Sequence, residues 1–206
     1  MVAIQENIAL APLTTLGVGG AARYFAAAHT VADATEALVW ARERQLPVFI
    51  LGGGSNLVVS DAGFAGLVLH VAIDGLTVRD DAGRRVYSVG AGVEWDAFVS
   101  RVVDENCGGV ECLSGIPGSV GATPVQNVGA YGQEVSDSIQ HVDAIALDTL
   151  EPVIFPHDAC GFHYRHSRFN SADAGRYLIT RVEFVLTPGA APRLDYADLQ
   201  RHFADL

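Results

Sequence analysis

The sequence predicts an α+β fold of two lobes: a smaller α/β lobe over about residues 1–66 and a larger, mainly antiparallel lobe over about 67–188. Two observations predict this. The order of elements reads β-α-β first, and then mostly β with one helix. Glycine, 22 of 206 residues, gathers in a few places and marks specialised loops rather than low complexity. With 50% apolar and 18% charged residues, the chain has material for one large domain or two small ones with a proper core.

The elements follow in order. Thr30 and Asp33 resemble a helix start, and Val31, Ala34, Leu38 and Ala41 fall on one face, so 31–45 reads as an amphipathic helix. "LPVFIL" (46–51) is a short apolar strand. "GGGSN" (52–56) follows it, and "LVVS" (57–60) reads as extended again. "GLVLHV" (66–71), "LTVRD" (76–80) and "RVYSVGA" (85–91) are strand-like, with "DDAG" (80–83) as a hairpin turn between the last two. Trp95, Phe98, Val99, Val102 and Val103 repeat at helical spacing and make 93–106 the clearest helix, stopped by Gly108 and Gly109. "IQHVDAIALD" (139–148), "EPVIFP" (151–156) and "YLITRVEFVLTP" (177–188) read as strands, and "DLQRHFADL" begins a helix.

A formal charge of −11 and a pI of about 4.9 argue against non-specific nucleic-acid binding, which feeds on Lys and Arg. Cys107, Cys112 and Cys160 form no C-x-x-C pair and read as reduced thiols in a cytoplasmic protein. No signal peptide is visible, and no apolar run approaches the ~20 residues of a membrane span. His163 and His166 lie three residues apart, but with no third ligand they read as polar histidines and no metal is expected.

Two glycine runs carry the functional reading. In "LGGGSNLVVS" three consecutive glycines leave backbone N–H groups uncovered, and such a nest binds anions without a lysine. A tight turn between strands accounts for it equally. It matches neither the dinucleotide fingerprint G-x-G-x-x-G nor a Walker loop. The second run, Gly115–Gly132, has five glycines and no charge in 18 residues. A segment this long without regular structure is commonly functional or disordered, and its Ile116, Val120, Val125, Val128 and Tyr131 argue against disorder. Gln126 and Asn127 can pair with the amide edges of a heterocycle. Together the runs suggest one ligand with a flat ring and a diphosphate, a description a flavin dinucleotide fits.

Four stretches then carry a resemblance: "TTLGVGGAARYF" (14–25), "VFILGGGSNLVVSD" (48–61), "GVECLSGIPGSVGATPVQNVGAYGQEV" (109–135) and "CGFHYRHSRF" (160–169). From about residue 10 onward the chain resembles the UDP-N-acetylenolpyruvoylglucosamine reductases, the MurB-type enzymes of peptidoglycan precursor synthesis. The resemblance implies a two-lobed FAD-binding domain of the vanillyl-alcohol oxidase / p-cresol methylhydroxylase type. It also implies FAD as cofactor, NADPH as reductant and a UDP-sugar enolpyruvyl ether as substrate.

By that resemblance Leu51, Gly52, Gly53, Gly54, Ser55, Asn56 and Leu57 wrap the diphosphate. Ile116, Pro117, Gly118, Ser119, Gly121, Ala122, Thr123, Gln126, Asn127, Gly129, Ala130, Tyr131 and Gly132 line the flavin. Arg165 and Tyr164 match a catalytic Tyr-Arg pair, although Phe162 and His163 separate them from Gly161. Tyr131, Tyr164, Arg165 and Tyr196 are the expected substrate contacts. The family carries a further C-terminal substrate domain with a proton-donating serine. Residues 189–206 read as the start of that region, and this chain is expected to bind FAD with little turnover by itself. A flavin oxidase of the same fold acting on another sugar or alcohol, and a non-catalytic nucleotide-binding module, are the alternatives.

Overall fold

The computed structural model describes residues 1–204. Strand β1 (Gln5–Ala9) pairs antiparallel with β2 (Ala21–Ala28). Helix α1 (Val31–Glu43) follows, opened by a reciprocal capping box between Thr30 and Asp33, and it buries Ala34, Ala37, Leu38 and Ala41. Strands β3 (Val48–Leu51) and β4 (Phe64–Val71) add in parallel, giving the order β1-β2-β4-β3. The turn after β3 therefore lies at the carboxyl edge of three parallel strands, where open α/β sheets place their ligands.

Strands β5 (Leu76–Asp81) and β6 (Arg84–Gly90) form a hairpin, and helix α2 (Trp95–Asp104) begins under the side chain of Glu94, which accepts from the Ala97 amide at 2.7 Å. Short strands β7 (Cys107–Gly108) and β9 (Gln133–Glu134) flank the long glycine run, and β8 (Gly129–Ala130) lies at its end. Strands β10 (Ile139–Ala146), β11 (Pro152–Pro156) and β12 (Tyr177–Pro188) complete an antiparallel sheet in the order β11-β10-β12-β6-β5. Helix α3 (Ala197–Phe203) closes the described chain, and the last two residues of the expected terminal helix lie outside the described residues.

Helix α2 packs Trp95 and Phe98 onto Phe184 of β12, with ring centroids 6.0 and 4.9 Å apart. Buried residues of α1, β4, β6, α2, β10 and β12 join in one hydrophobic core across both sheets. The two lobes are thus held by shared apolar packing, the dominant favourable term in folding.

Four expectations change. "LVVS" pairs with no strand, and the neighbouring strand begins only at Phe64. The expected lobe boundary at residue 66 falls inside β4, because the first sheet runs on to Val71. Val103, on the expected apolar stripe of α2, is half exposed while Trp95, Phe98, Val99 and Val102 are buried. Residues 129–132, expected to line a ligand, belong to a hairpin with 133–134 whose two-residue turn, Tyr131–Gly132, has φ of 48° and 78°. Positive φ at both central residues is the turn that matches strand twist.

Candidate functional site

The two glycine runs meet. A Cβ added to Gly53 would stand 2.9 Å from Gly118 Cα, so only glycine allows the backbones this approach. Ser55 Oγ donates to the Pro117 carbonyl at 3.2 Å, and Asn56 Nδ2 donates to Gln126 Oε1 at 3.5 Å. On the other side of the turn, Gly54 takes φ +66° and the Thr15 amide donates to its carbonyl at 3.1 Å.

The amides of Gly53, Gly54, Ser55 and Asn56, and those of Gly118 and Ser119, donate to no acceptor among the described residues. Buried backbone donors are normally paired, and Gly54 and Ser119 are buried. Two sets of N–H groups without a protein acceptor, on runs that approach at Gly53 and Gly118, can serve as an anion cradle.

The scaffold around the cradle is well tied. Gly118 accepts from the Trp95 amide at 3.0 Å, and the Val120 and Gly121 amides donate to Val93 and Ala91, each at 2.9 Å. Asp96 holds the start of the run, accepting from the Gly115 amide at 2.6 Å and from Ser114 Oγ at 2.9 Å; these two bonds keep its carboxyl below the ordinary range. Trp95 Nε1 donates to Leu113 O at 2.9 Å. Ser167 Oγ donates to Val125 O at 2.6 Å and steadies the far side.

Beside the cradle lie two adjoining cavities of about 380 and 340 Å³, which share Phe49, Ile50, Gly52, Ser119, Ala122 and Val125. Among the described residues, neither is lined by Lys, Arg, Asp, Glu or His. Neutral, largely apolar walls with aimed backbone amides fit a flat ring carrying a diphosphate. The donor set therefore suits FAD.

The comparisons agree. The FAD binding domain family matches residues 22–148. The chain belongs to the FAD-binding domain family. The curated UDP-N-acetylenolpyruvoylglucosamine reductases of Streptomyces avermitilis and Thermobifida fusca are 45% identical over 205 residues and 46% over 202, covering 98% and 95% of this chain. The resemblance in the glycine motifs thus extends over nearly the whole chain. The chain spans 55% of the length of each of those relatives.

Among solved structures, the UDP-N-acetylenolpyruvylglucosamine reductase of Thermus caldophilus superposes with TM-score 0.73 at 26% identity, covering 100% of this chain and 68% of that one. Cholesterol oxidase from B. sterolicum (TM-score 0.61, 15% identity, 91% of this chain and 38% of that one) and p-cresol methylhydroxylase (0.60, 16%, 84% and 36%) share the fold. The expected vanillyl-alcohol oxidase / p-cresol methylhydroxylase type of FAD-binding domain is the fold observed.

The structure sorts the expected site residues. Leu51–Leu57, Ile116, Pro117, Ser119, Ala122, Thr123 and Gln126 line the first cavity, and Gly121 lines the second. Asn127 does not fit its expected role. It is 1% exposed, and its side chain donates to Glu134 Oε2 (2.7 Å) and the His163 carbonyl (3.0 Å) while accepting from the Ser136 amide (3.1 Å). Those partners occupy it, so it holds the loop rather than facing the groove. Gly129, Ala130, Tyr131 and Gly132 belong to the β8–β9 hairpin and line neither cavity.

The expected substrate residues lie outside both cavities. Arg165 is exposed at φ +53°, and its Nη2 donates to the Gly129 carbonyl at 2.7 Å. Tyr164 is 81% exposed. Tyr131 and Tyr196 meet edge to face, 5.7 Å apart.

Sequence reasoning did not assign Phe49, Ile50, Trp95, Val125, Val128 and Asn170 to the lining. Phe49 and Ile50 immediately precede the glycine turn, and that adjacency was the available signal. Asn170 carried none.

Proposed function

We propose that this chain is the FAD-binding portion of an NADPH-dependent flavoenzyme. The enzyme reduces the enolpyruvyl ether of UDP-N-acetylglucosamine to UDP-N-acetylmuramate in peptidoglycan precursor synthesis. The observation that carries the reading is the meeting of two glycine runs at Gly53 and Gly118, with unpaired amides on both sides of a neutral cavity. The similarity to curated reductases of that name supports the substrate assignment.

On this reading Gly53–Asn56, with Gly118 and Ser119, hold the diphosphate by N–H donation. Phe49, Ile50, Trp95 and Val125 wall the ring. FAD held by these residues would supply hydride transfer between NADPH and the enolpyruvyl double bond. Arg165 presents a planar, permanently charged fork to the substrate carboxylate beside which negative charge develops. Its bond to Gly129 fixes one edge of the guanidinium. Tyr131, Tyr164 and Tyr196 make the substrate contacts, and residues 189–206 begin the substrate-binding region. The enzyme works in the cytoplasm.

The test uses a form carrying the family's C-terminal domain. Rapid NADPH oxidation on adding the enolpyruvyl UDP-sugar is the expected result. Oxygen consumption without that substrate identifies a flavin oxidase of the same fold instead.

A further inference from the structure

An acidic chain has to hold a doubly charged diphosphate. In the two cavities described above it offers no charged side chain. A third, open recess of about 360 Å³ lies against the same glycine turn, lined by Pro12, Leu13, Thr14, Thr15, Gly52, Gly53 and His70. All three recesses share Gly52. Among the described residues that line them, His70 is the one whose unperturbed charge change falls between pH 5 and 8.

His70 is placed by the sheet. Its Cα is the register partner of Leu51 in β3 and of Ala27 in β2, so it stands beside the residue that precedes the glycine turn. Its ring stacks on Phe25 at 6.2 Å and 29°. That packing holds the imidazole near the carboxyl end of β4, in the recess that Gly52 and Gly53 also line.

We propose that His70 is a protonatable phosphate contact beside the Gly52–Gly53 turn, where its recess adjoins the cradle, so that the chain binds the FAD diphosphate more tightly as pH falls. This inference rests on the FAD reading above.

The charged and titratable surroundings fix the sign. His29, at the end of β2, is the ionisable neighbour that acts on His70. Asp33 of α1 faces His29, accepting from its amide at 3.2 Å. The Gly52–Gly53 turn and Pro12–Thr15 bring none. Burial first, and then the His29 charge, lower the pKa of His70 in the free protein, so it is largely neutral at pH 7. A phosphate in contact favours the imidazolium and raises that pKa. Binding then takes up a proton, and affinity rises as pH falls through the bound-state pKa, levelling off below the free-state one.

Flavin-fluorescence titration of the chain with FAD between pH 5.5 and 8 tests this, with riboflavin as the phosphate-free probe. The expected result for the wild type is FAD affinity about tenfold higher at pH 5.5 than at pH 8, corresponding to a pKa rise of about one. His70→Gln should be flat, His29→Gln should keep the slope, and riboflavin should show none. NMR titration of the wild-type imidazole needs no variant to fold; it should show the His70 pKa higher with FAD than without. A slope unchanged in His70→Gln, or a His70 pKa that FAD does not raise, overturns the subsite while leaving the FAD reading intact. Absence of FAD binding at every pH overturns both.

Discussion

Ser55 Oγ donates to the Pro117 carbonyl at 3.2 Å, joining two glycine runs separated by 62 residues of sequence. The bond sits next to the point where Gly53 passes Gly118, and with the Asn56–Gln126 bond it ties the two runs together. The fold reaches that arrangement from both sides. β3 ends at the carboxyl edge of the parallel sheet, and the 115–123 backbone is laced to Ala91, Val93 and Trp95 beside the antiparallel sheet.

Gly53→Ala tests the close approach. The added Cβ meets backbone on the Gly118 side, so one run must move. Overpacking of this kind costs about 1–3 kcal/mol. Where that cost falls on the bound state, FAD affinity should drop by about 5- to 150-fold, at about 1.4 kcal/mol for each factor of ten. Equal FAD affinity in the variant, measured by fluorescence titration, means the cradle does not hold the diphosphate.

Asn127→Ala should act on stability instead. It strips the partner from the buried Ser136 amide, whereas the exposed His163 carbonyl keeps the His166 amide at 2.9 Å. A buried group left unpaired costs about 1–3 kcal/mol, so denaturant midpoints should drop by that equivalent. The folded fraction should still take up FAD. A drop below about 1 kcal/mol contradicts the structural role given to Asn127.

Much of the fold was legible because it follows local rules. The Thr30–Asp33 capping box, the apolar stripe of α2 and the apolar run of β12 each state their element without tertiary help. The diphosphate cradle was legible for a related reason: three glycines after a short strand leave little but backbone to do chemistry. The rest depends on contacts distant in sequence. Nothing local in "LVVS" distinguishes an unpaired extended segment from a strand, since pairing belongs to the partner. Asn127 and Gln126 look alike in sequence, yet one is buried against Glu134 and the other lines the cavity. The Tyr131–Gly132 turn was missed because tyrosine is not among the residues that usually mark a turn with two positive φ angles.

Arg165→Ala separates substrate chemistry from cofactor binding. The side chain is exposed and makes one hydrogen bond, to Gly129, so stability should change by less than about 1.5 kcal/mol and FAD should remain bound. In a form with the C-terminal domain, turnover should fall about 10²–10³-fold, as for loss of a preorganised donor to a developing anion. Release of FAD by this variant shows Arg165 to be structural.

The contact between the 109–133 region and the C-terminal segment should weaken in acid. Burial opposes the charge on Glu111, but the Gly109 amide (2.6 Å), the Arg193 amide (3.0 Å) and Gln133 Nε2 (3.3 Å) outweigh it and hold its carboxyl below the ordinary 4.5. A depressed carboxyl contributes stability that is present above pH 4.5 and is lost as pH falls through the lower, folded value. Melting temperatures of wild type and Glu111→Gln should therefore differ at neutral pH and converge on the acid side. A gap that persists to acid pH means packing, not the carboxylate, makes the contact.

The most direct measurement is the visible absorption spectrum of the chain, incubated with FAD and then desalted. The account predicts retained flavin bands near one FAD per chain, lost in Gly53→Ala. A colourless wild-type protein contradicts it.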